Sequence, residues 1–246
     1  MQILLADLHV HTVLSPCAEI EMIPPLIIKR GQELGLHMMA ITDHNAAGNV
    51  MAVERAAKGS GITIIPGMEL QTKEEVHLLC LFDTAEQALA WQEIVFAHLS
   101  ARKNEPEFFG VQLLVDETGD LLGRNERLLL TSADLSIDEA VERVREMGGL
   151  PIAAHVDRRA YSLLANLGVV PEGLNVAALE ISRQSAPEDF LGAHEELRGW
   201  PMIVSSDAHR LSELSANMRF RLREPSVHEI ELALEQREGR RAEVLA

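Results

Sequence analysis

The chain has 246 residues, 47% of them apolar and only 4% aromatic, with a net charge of −16. That length allows one large single-core domain, as α/β barrels of this size often are, or two small ones, and the balance is that of an ordinary soluble globular chain with an aliphatic core. The negative charge argues against a broad nucleic-acid or anionic-membrane surface, two cysteines exclude a disulfide framework, and no apolar run reaches membrane-spanning length. With no basic segment ahead of an apolar signal stretch, the chain reads as cytoplasmic.

Ile3 to Val10 is a short apolar run, a buried strand that delivers Asp7, His9 and His11 at alternate positions. Alternation predicts that all three side chains point the same way. Leu14 to Ile23 reads as a loop, and Pro24-Pro25 opens a helix to about Leu34 with Gly35 as its C-cap. Met38 to Thr42 is a strand ending in Asp43-His44-Asn45, and Met51 to Lys58 is a helix. Ile62 to Ile65 is a strand followed by Pro66-Gly67-Met68-Glu69, and Val76 to Phe82 is another holding His77. Thr84-x-x-Gln87 is a capping box for a helix reaching Arg102.

Val111 to Val115 and Leu121-Leu122, joined through Glu117-Thr118-Gly119-Asp120, predict a peripheral β-hairpin insertion around 108–125. Ser136-x-x-Glu139 caps a helix ending at Gly148-Gly149, and Leu150 to Ala154 is a strand ending at His155. Val176 to Ile181 and Met202 to Val204 are further strands, the second running into Ser205-Ser206-Asp207-Ala208-His209. Ser226 to Gln236 is an amphipathic helix. Strands alternating with helices predict parallel β/α units, and polar residues just past the strand ends predict a closed barrel with its site on that face.

The candidate ligands are His9, His11, His44, Glu69, His77, His155, Asp207 and His209, and Asp207-Ala208-His209 repeats the spacing of His9-Val10-His11. Imidazole and carboxylate with little thiolate suit Zn, Mn or Fe better than Ca or Mg. A carboxylate such as Glu69 can bridge two metals in sites that hydrolyse phosphate esters. Asp7 and Asp43 read as acceptors that fix imidazole tautomers, with direct ligation the alternative. Arg158 and Arg159, after His155, can clamp a phosphate bidentately or form surface salt bridges, and Arg183 is a similar candidate. His37, His98, His194 and His228 read as solvated, and Cys80 as core.

The ordered series Asp7-x-His9-x-His11-Thr12, Thr42-Asp43-His44, Gly67-x-Glu69, Val76-His77-Leu78, Ala154-His155 and Ser206-Asp207-x-His209 resembles the PHP (polymerase and histidinol phosphatase) family from Asp7 to about Arg210. The resemblance implies an α/β fold, a distorted (β/α)7 barrel similar to a TIM barrel, over 1–246 as a single domain. It implies a site at the C-terminal ends of the strands with two or three divalent transition metals. By motif, His9, His11, Glu69 and Asp207 would hold the first metal, Glu69, His77 and His155 the second, and His44 and His209 the third. Where the family usually has a further His or Asp for the third metal, this chain has Cys17. A thiolate can ligate Zn or Fe, Glu19 or Glu21 are substitutes, and a small loop residue beside a weak third site is the plain alternative.

The activity this implies is phosphoester hydrolysis by a metal-activated hydroxide in a free-standing protein, since no polymerase module follows. Glu69, Asp207 and His209 would be the catalytic residues, with His209, Asp207 or a site water protonating the leaving oxygen. No nucleophile elbow or glycine-rich phosphate loop is present, which argues against covalent catalysis and nucleotide-driven transfer. The expected substrate is a small phosphate monoester, a nucleotide or a short RNA or DNA end. An amidohydrolase-like enzyme on the same metals and a non-catalytic metal-binding module are the alternatives.

Overall fold

Helices begin where backbone amides find side-chain partners. Thr84 and Ser136 accept from the amides of Gln87 and Glu139, whose side chains accept the return bonds, so both expected capping boxes form. Pro24 opens the first helix, and Gly35, at φ 69, follows its end. The computed structural model describes residues 1–245. Its elements are β1 (Gln2–Val10), α1 (Pro24–Glu33), β2 (Met38–Ile41), α2 (Val50–Ala56), β3 (Thr63–Gln71), β4 (His77–Leu81), α3 (Ala85–His98), α4 (Pro106–Phe109), β5 (Leu113–Val115) and β6 (Leu121–Arg124). There follow α5 (Ile137–Glu146), β7 (Leu150–Ala153), α6 (Leu163–Leu167), β8 (Ala178–Ser182), α7 (Pro187–Ala193), β9 (Met202–Ser205), β10 (Met218–Leu222), α8 (Val227–Leu234) and β11 (Arg241–Val244). α3 ends short of the expected Arg102, because Leu99 turns extended and bridges Ala133.

Nine strands form one sheet in the order β11-β10-β1-β2-β3-β4-β7-β8-β9. Closure comes from the chain just past β9: the His11 amide donates to the Ala208 carbonyl at 3.0 Å, a parallel bridge between Val10 and Ala208. Seven strands, β1 to β4 and β7 to β9, thus make a nearly closed barrel, while β10 and β11 extend antiparallel from the first half of β1. Leu4, Ala6, Leu8, Met38, Ala40, Leu79, Ile152 and Ile203 fill one buried cluster, joined by Val227, Ile230 and Ala233 of α8. A second cluster around Met39, Phe82, Trp91 and Val144 cements the helices to the sheet.

Two departures from uniform parallel β/α units shape the site. β3 does not stop at Ile65: it runs through Pro66, where it leaves β2, and continues through Glu69 as the antiparallel partner of β4. β4 is antiparallel to β7 as well. Because β4 runs backwards, its first residue, His77, lies on the face where the parallel strands end. The expected hairpin forms as a separate two-stranded sheet of β5 and β6, tied to the loop after β1 by the Leu113 amide donating to the Val13 carbonyl at 3.0 Å.

Candidate metal centre

β1 does not present Asp7, His9 and His11 on one face, as simple alternation predicts. Its register against β2 shifts between Asp7 and Val10, a bulge that puts Leu8 in the inner cluster and Val10 in the outer one. His9 and His11 converge, Nε2 to Nε2 3.1 Å, whereas Asp7 accepts from the amides of Ser206 and Ser215. Asp7 binds no imidazole. Its burial pushes its carboxyl up to about 6, against the pull of those bonds.

The donor atoms crowd around Glu69, whose side chain is fully buried. His9 Nε2 lies 3.4 Å from Glu69 Oε1 and 3.2 Å from Asp207 Oδ1. His11 Nε2 is 3.4 Å from Glu69 Oε2 and 3.0 Å from Asp207 Oδ1. His44 Nδ1 approaches Glu69 Oε2 at 2.8 Å, and His77 Nδ1 and His155 Nε2 approach Oε1 at 2.8 and 3.0 Å. The His209 ring stacks on His11 with centroids 4.1 Å apart. Three overlapping groups have all their donor atoms within 4.8 Å of one another: His9, His11, Glu69 and Asp207; His44, Glu69 and His77; and His11, His44 and His209.

This set fits a divalent transition metal. Imidazole nitrogens stand close to Glu69 Oε2 and Asp207 Oδ1, yet none is aligned to hydrogen-bond either buried oxygen, a costly state for carboxylates unless a cation takes it up. Imidazole nitrogens and carboxylate oxygens are the donors such cations take. His155 and Asp207 also hold left-handed backbone, φ 28 and 48, as does Asn45 at φ 49 beside His44. Strain of this kind persists where surroundings over-determine it. Here Asn45 is fastened by bonds to the Leu129 and Thr131 carbonyls and from the Gln71 amide.

The electrostatics are those of a cation-binding nest. Burial disfavours every charge here, yet the surrounding imidazoles hold Glu69 and Asp207 well below the usual carboxylate range. Against the same burial, the carboxylates push His9 well above its ordinary value, and His11 and His44 up to about 9. His77 and His209 go the other way, to about 4 and about 3: burial dominates at both, outweighing Glu69 at His77, and at His209 the neighbouring His11 adds to it against Asp207. That His77 falls although it touches Glu69 reflects its burial first, with His44 and His155 adding to it.

Two fixtures set the imidazole tautomers, and neither is the one expected from the sequence. The buried Glu180 on β8 accepts from His9 Nδ1 at 3.0 Å and from the His155 amide at 3.0 Å. Ser15 Oγ lies 2.9 Å from His11 Nδ1, accepts from the His44 amide at 3.1 Å, and donates to Asp43 at 2.7 Å. Asp43 therefore acts through Ser15 and Thr12 rather than on an imidazole. In both cases Nδ1 is engaged and Nε2 is free to face the cluster. Glu180 had one legible signal, a carboxylate inside the apolar run Ala177-Ala178-Leu179-Glu180-Ile181.

The remaining candidates separate. Arg158 Nη2 lies 2.6 Å from Asp207 Oδ2 and lines the cavity over the cluster, whereas Arg159 is exposed and outside that lining. Arg183 donates to the Glu213 carbonyl at 2.8 Å, away from the cavity. Cys17 is exposed on the cavity rim beside His44 and joins none of the three donor groups, in which His11 supplies the third donor instead. Glu19 reaches Arg210 at 3.6 Å, and Glu21 is exposed. Cys80 is core, its thiol pushed up by burial.

A barrel whose mouth carries such a donor set belongs to the class of metal-dependent hydrolases. More specifically, residues 7–150, over half the chain, match the PHP domain, and the chain belongs to that family. No curated protein sequence matches it. Among solved structures it is similar to the lesion-specific endonuclease Q of Pyrococcus furiosus, with TM-score 0.71 and 20% identity over 98% of this chain. The chain spans 58% of that endonuclease's length. A protein from Bifidobacterium adolescentis described as a metal-dependent phosphoesterase superposes with TM-score 0.55 and 19% identity, over 83% of this chain and 87% of that one. An amidohydrolase from Chromobacterium violaceum, solved with bound sulfate, gives 0.59 and 20%, over 94% and 96%. At these identities the likenesses establish the fold.

Proposed function

We propose that this protein is a phosphoesterase, a single PHP unit over residues 1–246, acting on a phosphate monoester, a nucleotide or the end of a short oligonucleotide. The observation that carries the reading is the shared Glu69 carboxylate with five imidazoles around it, beside a guanidinium that reaches over the same cavity. His9, His11, Glu69 and Asp207 would hold one cation. Glu69 with His77, His44 and His155 would hold a second, and His11, His44 and His209 a third, with Cys17 at its edge. Zn, Mn or Fe suits these donors, and such cations supply an activated water and offset charge on the phosphoryl group.

The chain's own groups do the rest. Arg158 half-emerges into the cavity, where it can turn from Asp207 to donate two parallel bonds to phosphate oxygens. Asp207, held ionised, and His209, held neutral, carry no proton to give the leaving oxygen at neutral pH and are in the state that ligates a cation. Glu180 and Ser15 keep His9 and His11 in the tautomer that presents Nε2. The test is a screen of protein loaded with Mn or Zn against phosphate monoesters, nucleotides, bisphosphates and short RNAs, with a chelated control. Metal-dependent turnover of at least one class is expected. Higher kcat/KM on N-acyl amides than on any phosphate ester would overturn the reading in favour of an amidohydrolase.

A further inference from the structure

The chain has one tyrosine, Tyr161, and the structure sets it at the rim of the metal cavity. One face of its ring stacks on His77, centroids 4.9 Å apart and planes 19° from parallel. The residue is nevertheless 46% exposed, so the stack on His77 leaves much of it uncovered at the cavity rim. Its backbone is left-handed, φ 56, where an asparagine or glycine would sit with less strain, and its carbonyl accepts the His77 amide at 3.0 Å. That carbonyl bond needs no aromatic side chain, and packing on His77 alone would favour a ring that is covered.

The rest of the rim completes a slot. Leu130 adds an apolar wall, and Gln71, Thr131 and Ser132 add polar groups. Gln71 spends one amide hydrogen on Ser132 Oγ at 3.0 Å, leaving a carbonyl oxygen and a second N–H for a ligand. Arg158, three residues before Tyr161, carries the phosphate-seeking guanidinium. An aromatic face, an apolar wall and an amide edge within reach of a phosphate site match a planar heteroaromatic ring joined to a phosphate.

We propose that Tyr161 is a stacking platform for a nucleobase, and that it selects nucleotides, free or at a strand end, over phosphoesters of aliphatic alcohols. The proposal rests on the phosphoesterase reading for its phosphate site, but the platform can be tested separately. Calorimetric titration of the metal-loaded protein compares AMP with ribose 5-phosphate, which keeps the sugar and phosphate and lacks the base. A base stacked on an aromatic ring contributes about 5- to 150-fold in affinity. The wild type should prefer AMP within that range. Tyr161→Ala should abolish the preference while leaving ribose 5-phosphate binding and metal content unchanged, and Tyr161→Phe should keep it.

Equal binding of the two ligands by the wild type, or a preference that survives in Tyr161→Ala, overturns the platform. Hydrolysis rates read on the same ligands keep the two claims apart. A Tyr161-dependent preference for AMP without turnover of either ester supports the platform and removes these two monoesters, not the wider phosphoesterase reading, from the substrates. Equal turnover with equal binding removes the platform alone. No binding of either ligand removes both.

Discussion

Replacing Glu180 by Gln tests whether this buried carboxylate sets the metal affinity of the centre without touching a cation itself. Glu180 Oε2 receives two donors, His9 Nδ1 at 3.0 Å and the His155 amide at 3.0 Å, and Oε1 lies 3.2 Å from the same Nδ1. Gln has the same shape but only one acceptor oxygen. If that oxygen takes the Oε2 position, the new NH2 group faces His9 Nδ1–H donor to donor; if it takes the other, the His155 amide loses its partner. Either way a charge-assisted bond becomes a neutral one of about half the strength, and a buried group is left poorly paired.

In either orientation the bond that holds His9 in its Nε2-presenting tautomer loses its charge-assisted acceptor and is weakened. Removing such a partner typically lowers metal affinity about 10- to 100-fold, or about 1.4 to 2.7 kcal/mol. Competition with a chromophoric chelator reads the affinity, and far-ultraviolet circular dichroism checks that the fold survives. Activity lost at limiting metal should return when metal is raised, because Glu180 reaches no substrate. A Gln variant that binds metal with wild-type affinity would refute the assigned role. So would a loss of activity that excess metal fails to restore.

Arg158→Ala should lower kcat/KM on the best phosphate ester about 10- to 100-fold with metal content unchanged, the worth of a charge-assisted bond. Arg159→Ala, outside the cavity, should leave it as in the wild type, and steady-state kinetics on the pair separates a clamp from a surface charge. Metal affinity should climb with pH through about 9 and level off only above it. His11 and His44, both raised to about 9 in the cation-free protein, must shed their protons before they ligate. Chelator competition across that range checks it, and a flat profile would contradict the assigned shifts. By the same linkage those two imidazoles stabilise the cation-free fold below their ordinary 6.5 and cease to as pH passes about 9, which thermal melts in chelator should follow. At the other end of the barrel, Arg240 holds Glu229 down to about 2 through a buried bidentate pair. Stability from that pair should be present above 4.5 and fade as pH falls toward 2. Arg240→Met should lower Tm at neutral pH more than Arg237→Met, whose partner Glu235 is at the surface.

Local chemistry alone determined much of this protein. The capping pairs Thr84–Gln87 and Ser136–Glu139, the Pro24 start, the apolar strands other than the overrunning β3 and the β5–β6 pair within 108–125 depend on neighbours in the chain and form close to where they read. The ordered His, Glu and Asp motifs picked out residues that the barrel gathers around Glu69 as possible donors, because metal chemistry restricts residue type. β10 is equally legible, as the alternation Met218-Arg219-Phe220-Arg221-Leu222.

What only the tertiary structure decided is direction and partnership. Reversal of β4 carries His77 to the metal face, and a bulge turns Asp7 away from the pair it precedes. Glu180 meets His9 across 171 positions of sequence, and Asp43 reaches His11 only through Ser15. Arg158 and Arg159 are neighbours of the same residue type, yet one lines the cavity and the other does not. Spacing along a strand specifies a face only while the pleat stays regular. A hydrogen bond between distant residues exists only once the barrel has closed and brought their strands side by side.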